Sequence, residues 1–387
     1  MHNHAHSHDS KASRRDFFRT MVHGTLAGAS ILELAHHRAA WGRAMAPGSS
    51  AQLFDIQKAA EGVYFAQAHA QAQINSNSAI FVNANDVLVV DSHSKPSAAA
   101  SLIAQIKKEV TTKPVRYVVN SHFHWDHTQG NHAYRVGEKK IDFIASAPTK
   151  RLMSELAETR LKDSLDNVPK QIDALRTRAS KSTSPGEKAF CEGQIQQLKA
   201  YQAELQNYTL ELPTITFDKS YVIRDKAHDL HLEFRGHAHT AGDIVTFCPQ
   251  KRIVSTGDAV HGIPPFIADG FPKSWPKTID SIAELGFDRV IPGHGPLHTS
   301  RQPMTGMRNY IEELTERVDA GRKAGKSVSE MQESITVASL KSMQSNGYSQ
   351  FLMANRLLTS PVFGPLSPLQ LGVNTNIGDV YKNLDRT

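Results

Sequence analysis

The chain has 387 residues, 40% hydrophobic and 21% charged, a composition that supports a sizeable folded core and argues against a disordered chain. The formal charge of +6 is modest, its basic residues are scattered and no aromatic-interleaved basic stripe occurs, so nucleic acid is not an expected partner. Two cysteines, Cys191 and Cys248, are too few for a disulfide framework. The expected reading is a buried Cys248 in an apolar strand and an unrelated Cys191 thiol in a helix; a single bridge between them is the alternative.

Histidine is the unusual component, at 20 residues. His2, His4, His6 and His8 alternate at the N-terminus and are assigned no role. Ser13-Arg14-Arg15-Asp16-Phe17-Phe18 is followed by a mildly apolar stretch from Met21 to Leu34 and then by Ala44-Met45-Ala46-Pro47. Paired arginines, a weak apolar region and a small-x-small site in that order resemble a twin-arginine export signal over residues 1–46. The expected location is therefore periplasmic or secreted, with the twin-arginine machinery as a partner. His23 and Glu33 interrupt the apolar stretch, which is too short to stay in a bilayer as a helix, so no stable membrane insertion is expected.

From about residue 53 to 146 the chain reads as short strands and one helix. Val63–Ala66, Ala79–Val82 and Val87–Val90 are β-rich, Ala98–Val110 has helical spacing, and Val115–Asn120 is a strand that ends abruptly in a polar loop. That loop is His122-Phe123-His124-Trp125-Asp126-His127. Imidazole and carboxylate suit zinc and similar divalent ions, and a rigid strand end can aim several side chains at one point. His122 and His124 alternate along an extended segment and can hold one ion. Asp126 and His127 follow the turn of the chain and can hold a second.

Residues 147–209 change character to Leu, Ala, Lys, Glu and Gln, which predicts a helical insertion broken at Val168-Pro169 and at Ser184-Pro185-Gly186. Strands resume at Thr214–Phe217, Tyr221–Ile223, Leu230–Phe234, Ile244–Cys248 and Arg252–Ser255. A helix is expected at about Pro276–Leu285, a strand at Arg289–Ile291, and a mostly helical extension over 301–387 with a Pro-rich break at Ser360–Pro368. Strands in two batches, each followed by helices, predict an α/β (α+β) protein: a four-layer αββα sandwich whose main domain spans 47–300.

Four motifs, each at the end of an expected strand, resemble the metallo-β-lactamase superfamily in chain order. They are the His122–His127 loop, Gly236-His237-Ala238-His239-Thr240-Ala241-Gly242-Asp243, Ser255-Thr256-Gly257-Asp258-Ala259 and Pro292-Gly293-His294-Gly295. The resemblance covers about residues 53 to 298. It implies a first metal on His122, His124 and His239, a second on Asp126, His127 and His294, and Asp258 shared by both. Within the second motif it selects His239, which precedes Thr240, over His237. Two divalent ions, zinc by expectation, about 3.5–4 Å apart would hold a bridging water and bring its pKa from 15.7 toward ~7. The resemblance gives Asp126 the catalytic role of orienting that nucleophile.

Residue 258 bears on the substrate. Antibiotic-hydrolysing relatives usually carry Cys or Ser there, whereas an aspartate resembles the thioesterases, lactonases and phosphodiesterases. The reading is therefore hydrolysis of an ester, thioester, lactone or related amide in a small molecule. A β-lactamase is one alternative; a mononuclear iron enzyme similar to the persulfide dioxygenases is another, and a non-catalytic metal binder a third. Gly262–Phe271 is expected to line the pocket. Trp275 either joins that loop or packs in the core at a helix start, and the helical segments offer an oligomer contact.

Overall fold

The computed structural model describes residues 53–69, 76–138, 140–345, 347–354 and 367–386. The export motif and most of the Pro-rich break lie outside the described residues.

Strands β1 (Phe54–Ala60), β2 (Val63–Ala68), β3 (Ser78–Val82) and β4 (Val87–Val90) form an antiparallel meander. β5 (Val115–Val119), β6 (Asp142–Ser146) and β7 (Ile215–Phe217) then add in parallel, giving a seven-stranded sheet in sequence order. Each parallel addition requires a crossover. The first is α1 (Pro96–Gln105), which begins with proline at its first turn and ends in a π turn at Ile106–Val110. The second sheet has the order β12-β11-β10-β9-β8. β8 (Ser220–Ile223), β9 (Leu230–Phe234), β10 (Ile244–Cys248) and β11 (Ile253–Gly257) run antiparallel, and β12 (Arg289–Pro292) pairs parallel with β11.

The period-2 alternation of the strands decides the layers. Phe81, Leu88, Val90, Val119 and Ile144 point to the other sheet and meet Leu230, Leu232, Ile244, Cys248 and Ile291. Ile80, Val87, Val89, Val118 and Phe143 point the opposite way, under Ala98, Leu102 and Ile106 of α1 and its π turn. On β10 the partition is residue by residue: Ile244 and Cys248 face inward, while Val245 and Phe247 face the outer helices. Each such side chain contributes roughly 1.5–3 kcal/mol relative to exposure. The result is the expected αββα sandwich.

Outside the second sheet lie the helix Trp275–Ala283, called α6 below, and the C-terminal helical extension. That extension comprises α7 (Gln302–Lys323), α8 (Val328–Ser334), α9 (Lys341–Gln344), α10 (Tyr348–Ala354) and α11 (Pro368–Asn383). Among the described residues no helix is long and apolar enough to cross a membrane. Cys191 and Cys248 are both free and buried, the former in a helix and the latter in β10.

Three local expectations need correction. Pro169 does not break the insertion: it lies inside one helix, α4 (Ala147–Lys181), and only Pro185 starts a new one, α5 (Pro185–Leu205). An interior proline costs about 3 kcal/mol. Here Val168 and Ile172 on either side of it bury against Ile195 and Leu198 of α5, which offsets that cost. β1 and β6 are strands that the sequence pattern does not reveal. β6 is sandwiched between parallel neighbours and buried from Phe143 to Ser146, so it has no alternation to mark it. Asp126 and His127 sit not on an irregular loop but in a one-turn helix, α2 (Trp125–Thr128), followed by α3 (Asn131–Gly137).

Candidate metal centre

Strand and helix ends converge at one edge of the sandwich. His122 and His124 leave β5, Asp126 and His127 lie in α2, His239 follows β9, Asp258 follows β11 and His294 follows β12. None of the seven is more than 9% exposed, so all are withdrawn from bulk water. Their donor atoms form groups whose members lie within 4.8 Å of one another: His122 with His124 and His239; His122 with His127 and Asp258; Asp126 with His127 and His294. All seven sequence-predicted residues are thus brought together.

Glycine makes the convergence sterically feasible. Gly257 adopts φ +50°, a left-handed conformation natural to glycine, and any Cβ there would overlap the Ser121 hydroxyl. Gly293 lies so close to Asp258 that a Cβ would overlap Oδ1 of the carboxylate. The Gly-Asp and Gly-His pairs of the sequence are therefore packing requirements as well as motifs.

The hydrogen bonds around the imidazoles fix which nitrogens face inward. His127 Nδ1 donates to Asp91 Oδ2 at 2.7 Å, and His239 Nδ1 donates to the Phe266 carbonyl at 2.9 Å. His124 Nε2 donates to Asp269 Oδ2 at 2.8 Å. The Ser121 hydroxyl already donates to Asp91 at 2.8 Å, so at its 3.0 Å contact with His122 it accepts from Nδ1. A neutral imidazole has a single N–H. With those protons committed outward, bare lone pairs remain on His122 Nε2, His124 Nδ1 and His239 Nε2. They stand 3.1 Å (His122 to His124) and 2.8 Å (His239 to His124) apart. Burial keeps His122 and His239 well below the usual histidine range, reinforced at His122 by His127 and at His239 by His124. Three unprotonated nitrogens aimed at one another fit a cation between them, and the outer partners orient them for it.

The other half of the site is charged. His294 Nε2 lies 3.1 Å from Asp126 Oδ2 and 3.2 Å from His127 Nε2. Asp258 stands between the halves, with Oδ1 3.4 Å from His127 Nε2 and Oδ2 3.5 Å from His239 Nε2. Burial opposes the imidazolium of His294, but Asp258 and Asp126 outweigh it and hold the group up to about 9. Burial is likewise outweighed at His127, which Asp258, Asp126 and Asp91 raise well above the ordinary value.

These two groups therefore hold protons at neutral pH that a metal ion must expel. Apparent metal affinity should rise with pH until His294 titrates near 9. Calorimetry in buffers of different protonation enthalpy should show net proton release at pH 7 that shrinks above 9. Equal release at both would contradict the assignment.

Sequence reading did not single out Asp91, Asp269, Arg160 or His261. Asp91 directly follows β4 and ties His127 to the Ser121 backbone N–H (2.8 Å). Arg160, from α4 of the insertion, grips both oxygens of Asp269 at 2.8 and 2.9 Å and lies over the Phe123 ring. The insertion thus braces His124 through Asp269. Arg160→Ala should weaken binding of one ion by about 10-fold, as loss of an outer partner does. Competitive titration with a chromophoric chelator measures it, and an unchanged affinity would show the brace to be idle.

The 262–271 loop meets the site through Phe266, whose ring lies 5.6 Å from that of His124. Ile263, Ile267 and Phe271 are buried. Trp275 resolves to the core: it is fully buried at the start of α6, and Nε1 donates to the Ala259 carbonyl at 2.9 Å. His237 stays outside the donor groups, its ring against Phe271 at 4.5 Å.

The sequence profile of the metallo-beta-lactamase superfamily matches residues 73–294. Among solved structures, the chain is similar to a metallo-beta-lactamase from Pontibacter korlensis, with 18% identity and TM-score 0.49 over 67% of this chain and 99% of that one. A metallo-beta-lactamase from Hirschia baltica gives 17% and 0.47 over 67% and 97%. A mono-zinc metallo-beta-lactamase from Pseudomonas aeruginosa gives 18% and 0.46 over 67% and 95%. No curated protein matches the chain.

Proposed function

Because the chain belongs to the metallo-beta-lactamase superfamily, whose members are mostly metal-dependent hydrolases, we propose that it is a binuclear hydrolase of esters, thioesters, lactones or related amides. The observation that carries the reading is the trio of bare, buried nitrogens on His122, His124 and His239 beside the mixed carboxylate and imidazole group of Asp126, His127 and His294. His122, His124 and His239 would hold one ion, Asp126, His127 and His294 the other, and Asp258 would contact both. Zinc suits this nitrogen and carboxylate set. Two bound ions would supply a hydroxide nucleophile near neutral pH and charge stabilisation of the attacked group.

The chain's own residues do the rest. Asp126 would accept a hydrogen bond from the nucleophile and orient it. Asp91 and Asp269 fix the imidazole tautomers through outward hydrogen bonds at 2.7 and 2.8 Å. Burial excludes competing water. The aspartate at 258, in place of cysteine or serine, favours ester-like substrates over β-lactams. Arg14-Arg15 and the stretch after them support export by the twin-arginine route to the periplasm or beyond.

The test is a hydrolysis screen of thioesters, lactones, β-lactams and phosphodiesters on zinc-loaded protein lacking residues 1–46. Chelator-sensitive turnover of an ester, thioester or lactone is expected. Turnover confined to β-lactams would overturn the substrate class.

A further inference from the structure

His261 lies three residues beyond Asp258, in the turn that leaves β11, and takes no part in the seven-residue set. The residue is 1% exposed, and neither Nδ1 nor Nε2 has a hydrogen-bond partner. Two other buried histidines, His228 and His298, are equally bare, but they pack against Phe81 and Phe351. His261 instead faces ligands. Its Nε2 is 3.7 Å from Asp258 Oδ2, and its donor atom lies within 4.8 Å of those of both His239 and Asp258. The ring stacks on His294 at 5.9 Å with a 17° interplanar angle and meets His239 edge-on at 5.3 Å. The backbone is held in place too: the His261 N–H donates to Met307 Sδ of α7 at 3.2 Å.

A polar ring retained bare in the interior is unfavourable unless something else satisfies it. A position between His239 and Asp258 does so, because it is one that the first ion can occupy. We propose that His261 is an eighth metal-facing donor, its ring nitrogen joining His122, His124, His239 and Asp258 on the first ion. This inference rests on the metal reading above. It makes the first site richer in protein donors than the seven motif residues provide, and the C-terminal extension a structural support of that site through Met307.

Cobalt(II) titration of the metal-free protein, read by visible absorption, tests it. Parent protein should bind two ions. His261→Phe keeps an aromatic ring at the position and removes both nitrogens. It should bind one of the two about 10-fold more weakly, with stronger d–d absorption as that ion's coordination number falls. His261→Leu serves as the second variant, and circular dichroism of the metal-free forms checks that each folds. Parent-like spectrum and affinity in a folded variant would overturn the proposal and leave the metal reading standing. A parent protein that binds no cobalt would overturn both.

Discussion

Asp258→Asn should lower turnover more than about 100-fold, beyond what loss of an outer partner costs, and leave the protein with fewer than two tightly bound ions. The reasoning is electrostatic. Burial keeps His122 and His239 neutral, and the carboxylate that faces them is Asp258, 3.5 Å from His239 and 3.9 Å from His122. Its other oxygen lies 3.4 Å from His127, so one substitution reaches both halves. Asparagine preserves the shape and removes the charge. The metal-free protein offers an independent readout: Asp258 is the leading attraction that holds His294 up to about 9 against burial. In the variant, the His294 resonance should titrate at lower pH, toward the ordinary histidine range. Full activity with two ions bound would remove Asp258 from the site.

Gly293→Ala should be nearly as damaging although it changes one methyl group. Gly293 has no positive φ, so alanine suffers no backbone strain there, and the effect is steric. The added Cβ would overlap Asp258 Oδ1 and stand 2.9 Å from the Gly257 carbonyl carbon and 3.0 Å from His127 Cε1. The backbone cannot yield easily, since the Gly293 N–H donates to Gly257 O at 2.8 Å and its carbonyl accepts from Asn77 N at 2.7 Å. Overpacking of this kind costs typically 1–3 kcal/mol. The carboxylate that must move aside is the one proposed to serve both ions. Thermal denaturation should show a lowered midpoint, and metal titration should show loss of at least one ion. A variant with parent midpoint and two ions would mean that the loop relaxes freely.

The parts of the site written within short stretches are legible in the amino-acid sequence. His122 to His127 lie together after an apolar strand, and Gly257-Asp258 and Gly293-His294 follow strands of their own, so residue type and strand-end position point to metal chemistry. The residues that orient those ligands are hidden because their partners are remote in sequence. Asp91 is one aspartate after Val90, and its purpose emerges only when Ser121 and His127 fold onto it. Asp269 meets Arg160 across 109 residues. His261 resembles any buried histidine until Asp258 and His239 are placed beside it. The fold shows the same division. β10 announces itself by its β-branched and aromatic residues, whereas β6 and the uninterrupted α4 depend on tertiary neighbours: flanking parallel strands in one case, the α5 surface around Pro169 in the other.

The central claim is the two-ion site, and metal analysis of the protein purified without added metal tests it most directly. Mass spectrometry of the metals, normalised to protein concentration, should find two divalent ions per chain, zinc foremost, both lost on chelation together with hydrolytic activity. One iron and no zinc per chain would contradict it and point to a mononuclear oxidative enzyme instead.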